Sequence, residues 1–364
     1  MNTIENKHLP HDLPQMQSLP LEAKIRMTEQ RVKQWYEYWN GKVYVARSGG
    51  KDSDVLGDIV KKLYPDVPQV FVNTGLEYDS VRLHGTEVAD VVLRPEMSFL
   101  QVISKYGYPV ISKEVAQTVT EVQKAVKNGK QPPKYRMDKL NGVCIDKNTG
   151  SLSSYNMPQY KFLIDAPFRI SHKCCDVMKK NPSKKYERQT GNKPFLGTMA
   201  TESRLRKTKW MRFGCNAFEE KRPTSQPLSF WTEQDILLYI KENQLEIASA
   251  YGHVTVDYKS IGQCEGQLAI QDILYIKEHR LIELYSPPLK TTGANRTGCV
   301  FCMFGITQDT DRFLKLKELE PKKYDYVMRG GKFDETGMWI PHNGLGYKFV
   351  IDWLNEHGNL NIRY

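Results

Sequence analysis

Residues 42–65 constrain this chain more than any other stretch. Lys42-Val43-Tyr44-Val45-Ala46 is a short, nearly continuous apolar run, as expected of a strand buried on both faces. It leads into Ser48-Gly49-Gly50-Lys51-Asp52-Ser53, after which DVLGDIVKKLYP shows helical periodicity. A strand, a glycine-rich loop and a helix in that order form a cradle for a phosphate. Glycines let the backbone approach an anion, while loop N–H groups and the helix N-terminus supply partial positive charge. Ser48 and Ser53 add hydroxyl donors and Lys51 a full charge. The spacing differs from a Walker A loop, whose two glycines stand farther apart before Lys-Ser or Lys-Thr.

The same alternation runs on either side. LEAKIRMTEQRVKQWYEYWN reads as a helix stopped by Asn40-Gly41, VPQVFVNTG as a second strand, YDSVRLHGTEVA as a helix, DVVLRP as a third strand and SFLQVISKYG as a helix. Alternating strands and helices predict an α/β fold, a parallel sheet with helices on both faces. Beyond about residue 114 the pattern changes. EVAQTVTEVQKAVKNG is helical, a loop-rich stretch follows, and WTEQDILLYIKENQ is a helix with Thr232 as its N-cap. A mixed, cysteine-containing C-terminal extension completes the chain. We divide it into an N-terminal helical segment at 1–40, a nucleotide domain at 41–245 and a C-terminal region at 246–364.

The formal charge of +10 favours anionic partners: nucleotides, sulfate esters or nucleic acid. No apolar run reaches the roughly 20 residues that span a bilayer, and the polar, proline-rich N-terminus has no secretory pattern. The expectation is a cytoplasmic protein with no membrane partner. Seven cysteines in such a chain point to metal or thiol chemistry rather than to a disulfide framework. They are Cys144, Cys174, Cys175, Cys215, Cys264, Cys299 and Cys302. The adjacent pair Cys174-Cys175 and the C-x-x-C at Cys299 and Cys302 offer four thiolates, enough for a Cys₄ zinc or a [4Fe–4S] cluster. Consecutive side chains diverge, which suits separate iron corners better than one tetrahedral zinc, so a cluster is favoured over zinc.

Ser48 to Ser53 resembles the pyrophosphate-loop signature of the adenine-nucleotide α-hydrolase superfamily. That superfamily includes ATP pyrophosphatases and the adenylyl-sulfate and phosphoadenylyl-sulfate reductases. Phe71-Val72-Asn73-Thr74-Gly75-Leu76-Glu77 is similar to the stretch those reductases place beside adenosine, with Asn73 where the family has Asp. Lys173 to Pro182 looks like their C-C-x-x-x-K-x-x-P segment. Gly197 to Arg206 is similar to G-x-R-x-x-E-S-x-x-R, with Met199 in place of the arginine and Arg204, Arg206 and Lys207 available to compensate. Pro227 to Ile236 resembles a helix that packs on the nucleotide domain, with Trp231 in its core. The likeness covers roughly residues 41 to 305.

The resemblance implies the site residues. Nucleotide would be bound by Ser48, Gly49, Gly50, Lys51, Asp52, Ser53, Asn73, Thr74, Gly75, Glu77, Glu202, Ser203 and Arg206, with Lys51 and Asp52 catalytic and Asp52 a candidate Mg²⁺ ligand. By the same analogy Cys174, Cys175, Cys299 and Cys302 would hold the cluster. Cys144, Cys215 and Cys264 are left over and read as small buried hydrophobes. His172, beside the pair, reads as a loop residue.

The reductases also use a cysteine near the C-terminus to attack the sulfate sulfur, and no residue after Cys302 is cysteine. Two enzyme readings follow, with a non-catalytic nucleotide-binding protein as a third. In the first, the chain is an ATP pyrophosphatase that adenylates an acceptor for sulfur transfer, as the related DNA phosphorothioation and tRNA thiolation enzymes do. Its basic run from Lys179 to Arg212 would then meet nucleic acid. In the second, it is a sulfonucleotide reductase whose thiol comes from Cys144, Cys215, Cys264 or a partner. A sulfur-donor or redox protein is the remaining expected partner.

Overall fold

The computed structural model describes residues 6–146, 149–257 and 288–364. Its contacts divide the chain into two compact units, each made from two separate stretches: Met1–Leu93 with Ser183–Thr297, and Arg94–Pro182 with Gly298–Tyr364. The boundaries expected at 40 and 245 follow chain order, whereas these units interleave.

The first unit is α/β. Its sheet has six strands in the order Val91–Leu93, Gln69–Val72, Val43–Arg47, Lys193–Leu196, Thr224–Ser225, Asn216–Ala217. The first five are parallel, as the alternation predicts, and Asn216–Ala217 closes the edge antiparallel to Thr224–Ser225. Side chains of Val43–Arg47 alternate between two apolar layers with the period of two that a strand imposes. Val43, Val45 and Phe195 pack with Val32 and Trp35 of the helix Leu21–Tyr38, with Val55, Leu56, Ile59 and Val60 of the helix Lys51–Leu63, and with Trp210, Phe230 and Trp231. Tyr44 and Val70 face Tyr186, from the helix Asn181–Thr190, on the opposite side. The strand is therefore central and covered on both faces, and its C-terminal end delivers the loop at Ser48.

The second unit is mainly helical. Helices Phe99–Tyr106, Lys113–Lys127, Lys134–Asn141, Arg312–Leu319, Pro321–Met328 and Tyr347–Gly358 surround two short strand pairs. Val110–Ile111 runs parallel to Met303–Phe304, and Lys332–Phe333 antiparallel to Trp339–Ile340. Edge-to-face rings hold its centre: Tyr108 against Phe168 and Tyr347, and Phe168 against Trp353. No helix among the described residues is long and apolar enough to cross a membrane.

Candidate functional site

The loop expected to hold phosphate lies between the strand Val43–Arg47 and the helix Lys51–Leu63, with Gly50 as N-cap. Gly49 has φ +71°, and a Cβ there would sit 2.5 Å from the Val81 carbonyl oxygen, so the loop can pass this close to Val81 only as glycine. The two serines tie the loop to itself. Ser53 Oγ donates to the Gly50 carbonyl at 2.7 Å and accepts from Ser48 N–H at 3.1 Å, while Ser48 Oγ accepts from Gly50 N–H at 3.3 Å.

Lys51 is buried, with 2% of its side chain exposed. Its Nζ donates to the Asn295 carbonyl at 2.9 Å, pairs with Glu233 Oε1 at 2.8 Å and lies over the Tyr251 ring. Asp52 Oδ1 is 3.8 Å from the same ammonium. Burial raises the Asp52 carboxyl above its ordinary range, Lys51 and Arg296 pull it back, and Glu233 adds to the rise. Asp52 Oδ1 and Glu233 Oε2 are both buried without a hydrogen-bond partner.

The other expected nucleotide contacts belong to the same unit. Asn73 Oδ1 accepts from Gly75 N–H at 3.2 Å, shaping the turn after the second strand, and Thr74 Oγ1 donates to Glu77 Oε1 at 2.6 Å. Glu202 accepts from Met199 N–H and pairs with Arg206, and Arg296 lies 3.6 Å from it. Ser203 caps the helix Arg204–Phe213 by accepting from Arg206 N–H. Burial and then Arg296 lower the proton affinity of the Arg206 guanidinium, against the pull of Asp52. Lys51, Asp52, Glu233, Arg206 and Arg296 thus share one electrostatic neighbourhood. Sequence reasoning missed Glu233, Tyr251, Asn295 and Arg296. The signal for the last two is the turn-rich run Thr292-Gly293-Ala294-Asn295-Arg296-Thr297-Gly298 just before Cys299.

A buried network supports the loop from beneath. Arg47 donates to Asp54 Oδ1, and His84 Nε2 lies 3.0 Å from Asp54 Oδ2. Asp54 is 1% exposed, and Gly57 leaves the room that the Arg47 guanidinium fills.

The second cluster of predicted residues lies in the other unit. Cys174 is buried, and Cys175, Cys299 and Cys302 are half-buried. Cys302 N–H donates to the Cys299 carbonyl at 3.0 Å, closing the C-x-x-C turn, and Phe304 N–H points to Cys302 Sγ at 3.4 Å. Arg312 locks the turn by donating to the carbonyls of Cys302 and Phe304. Burial pushes the Cys174 thiol far up, and Cys175, Cys299 and Cys302 each add to it. Burial and Cys299 push Cys302 up to about 12.

Among the described residues, no three His, Cys, Asp or Glu side chains converge closely enough to hold a metal ion as they stand. A single tetrahedral zinc, with Zn–S near 2.3 Å, would draw its sulfurs to roughly 3.8 Å from one another. His172 Nδ1 is buried without a partner, and burial followed by Lys173 and Lys113 lowers its ring's proton affinity. Of the remaining cysteines, Cys215 is in the core of the first unit, Cys144 is half-buried in the second, and Cys264 lies outside the described residues.

Residues 97–267 match the family described as the phosphoadenosine phosphosulfate reductase domain. That span includes Cys174, Cys175, Glu202 and Arg206 but neither the phosphate loop nor the C-x-x-C. A search of curated proteins found no match. Among solved structures, the chain is similar to the crystal structure of phosphoadenylyl-sulfate reductase from Candida auris in its phosphate complex. The two share 14% identity, over 67% of this chain and 92% of that one, with a TM-score of 0.35.

Proposed function

The chain carries a domain of the phosphoadenosine phosphosulfate reductase family, and from that premise we propose that it is an ATP pyrophosphatase that adenylates an acceptor for sulfur transfer. The supporting observation is the pair of partnerless carboxylate oxygens, Asp52 Oδ1 and Glu233 Oε2, beside the buried Lys51 ammonium. Lys51 already faces both carboxylates, Glu233 Oε1 at 2.8 Å and Asp52 Oδ1 at 3.8 Å, and the oxygens it leaves without a hydrogen bond would accept a further cation. A triphosphate substrate arrives with Mg²⁺, which is such a cation; a sulfonucleotide alone brings none.

In this reading Asp52 and Glu233 would hold Mg²⁺, which when bound offsets charge on the leaving pyrophosphate. Lys51 and the loop N–H groups neutralise the β- and γ-phosphates, and Arg206 and Arg296 face the phosphate chain. The turn from Asn73 to Glu77 sits beside the adenosine. An acceptor oxygen attacks the α-phosphorus, pyrophosphate leaves, and a sulfur nucleophile then displaces AMP. Cys174, Cys175, Cys299 and Cys302 would hold a [4Fe–4S] cluster, which supplies sulfur-handling and electron-transfer chemistry. A sulfur-donor protein is the implied partner, and nucleic acid is a candidate acceptor.

The family match favours a second reading, a sulfonucleotide reductase that releases sulfite. Its nucleophile would be Cys144, Cys264 or a partner's thiol, because Cys215 is sealed in the core and burial raises its thiol. The two readings part in one experiment on anaerobically purified protein. α-Labelled ATP with Mg²⁺ and ³⁵S-labelled phosphoadenylyl-sulfate are offered in parallel, with and without dithiol, and direct binding of each is measured by calorimetry. Mg²⁺-dependent ATP binding with release of AMP and pyrophosphate is the expected result. Labelled sulfite, or tight binding of the sulfonucleotide alone, would replace this reading with the second.

A further inference from the structure

The second unit carries a surface that uses neither the phosphate loop nor Cys174, Cys175, Cys299 and Cys302. Six of the fourteen exposed large apolar side chains among the described residues fall within 126–155. Two are aromatic. Tyr135 and Tyr155, 55% and 40% exposed, both stand against the Lys139 ammonium, 4.7 and 5.2 Å from their ring centres. Lys139 is itself buried and paired with Glu114, so both rings meet one fixed post. Beyond them Ile145 and Leu152 pair across an antiparallel bridge, and Val143 lies two residues before Ile145. All three are more than half exposed. Asn156 fastens this segment by bonding to Gly142 and Cys144.

The stretch that carries the rings is basic. Residues 94–182 hold fifteen Lys and Arg against seven Asp and Glu, which is eight of the chain's ten net positive charges. Lys124, Lys127, Lys130 and Lys134 are exposed along the end of one helix and the start of the next, and none has an ion-pair partner among the described residues. Of the nearby carboxylates, Glu121 is taken by Arg136 and Glu114 by Lys139, and Asp138 offsets one of the charges. In the basic run expected to meet nucleic acid, by contrast, several cations are spent internally: Lys180 on Asp176, Arg206 on Glu202 and Lys209 on Glu220.

We infer that this face binds single-stranded nucleic acid, with bases stacking on Tyr135 and Tyr155 and the backbone following the four lysines. Unpaired lysines beside pinned, open rings match a strand that offers regularly spaced phosphates and free base faces. A duplex hides its base faces and could use only the lysines. The inference stands whichever nucleotide the phosphate loop takes, because it rests on residues of the second unit alone.

Fluorescence anisotropy of the full chain with labelled single-stranded DNA and RNA 20-mers, and with a duplex of the same length, tests it. Single strands should bind more tightly than the duplex. Affinity should fall with salt, and a K124Q/K127Q/K130Q/K134Q variant should lower the log–log salt slope by about 3, from about 0.7 per phosphate contact. Tyr135→Ala and Tyr155→Ala should each weaken binding roughly five-fold or more with the slope unchanged, while Tyr135→Phe and Tyr155→Phe keep it. These side chains are exposed, and circular dichroism verifies that each variant is folded. Absence of single-strand binding at low salt overturns the inference, as does binding that ignores both sets of substitutions. Equal duplex binding with no effect of the tyrosines also overturns it, leaving plain electrostatic attraction. So does self-association through Val143, Ile145 and Leu152 without nucleic-acid binding, which would make the face a protein interface.

Discussion

Lys51 already has an anionic partner before any phosphate arrives. Glu233 holds its ammonium at 2.8 Å, so an incoming phosphate must compete with that carboxylate. Glu233 is 38% exposed, and screening limits such a pair to about 1 kcal/mol. Glu233→Gln should therefore tighten binding of Mg²⁺-free pyrophosphate by up to about five-fold while weakening Mg²⁺-ATP, because one carboxylate both blocks the lysine and serves the metal. Calorimetric titrations of the two ligands check this, and loss of both affinities together would disprove it. The support under the loop is stiffer. Asp54 sits between Arg47 and His84 with almost no exposure. Asp54→Asn leaves the Arg47 charge buried without its counterion, at a cost of about 3–5 kcal/mol. Urea unfolding should show a clearly lower midpoint. At this scale the loop residues were legible because their types and spacing carry the chemistry. Glu233 and Asn295 were not, because they reach Lys51 from 182 and 244 residues away and no local pattern announces them.

Among the elements, the helix Glu233–Glu242 shows how a local signal can carry a non-local duty. Thr232 was readable as its N-cap, and its side chain does accept from Asp235 N–H while Asp235 bonds back to Thr232 N–H. The sequence did not reveal that Asp235 also takes the buried Lys24 ammonium, at 2.7 Å, from the helix Leu21–Tyr38. The two residues should thus fail differently. Thr232→Ala removes the cap bond accepted from Asp235 N–H and the one its hydroxyl donates to Asp235 Oδ2, and should cost about 1 kcal/mol. Asp235→Ala strands a 2% exposed lysine and should cost several times more, about 3–5 kcal/mol. Chemical denaturation of both variants distinguishes them, and equal losses would show that the ion pair adds nothing beyond the cap. Strands such as Val43–Arg47 were legible from apolar runs. The two-residue strands Asn216–Ala217 and Thr224–Ser225 were not, since their pairing rests on partners across the sheet rather than on composition.

For the whole molecule, chain order concealed the interleaving. Local periodicity cannot reveal that residues 183–297 return to the sheet begun by 43–93 while 94–182 pack with 298–364, because that division exists only in long-range contacts. The same packing sets a limit on alkaline stability in the first unit. Tyr44, Tyr239 and Tyr251 all have their phenols raised above the ordinary value of 10.0, burial being the largest cause in each, and Tyr251 reaches about 12. Glu187 beside Tyr44 and Asp58 beside Tyr239 add to the rise by repelling a phenolate. An acid whose proton is held more tightly in the folded state stabilises that state fully below its unfolded value. The contribution is lost as pH climbs through the folded value, since the unfolded chain then binds fewer protons. Stability should accordingly be insensitive to these groups below pH 10 and drop between about 10 and 12. Tyrosinate absorbance should rise in two stages, first the exposed rings and then, together with loss of circular dichroism, the buried ones. Replacing Tyr251 with Phe removes one ionisable phenol and should shift the second stage to higher pH. If the buried rings instead ionise near pH 10 with the fold intact, they are open to solvent and the packing described for this unit is wrong.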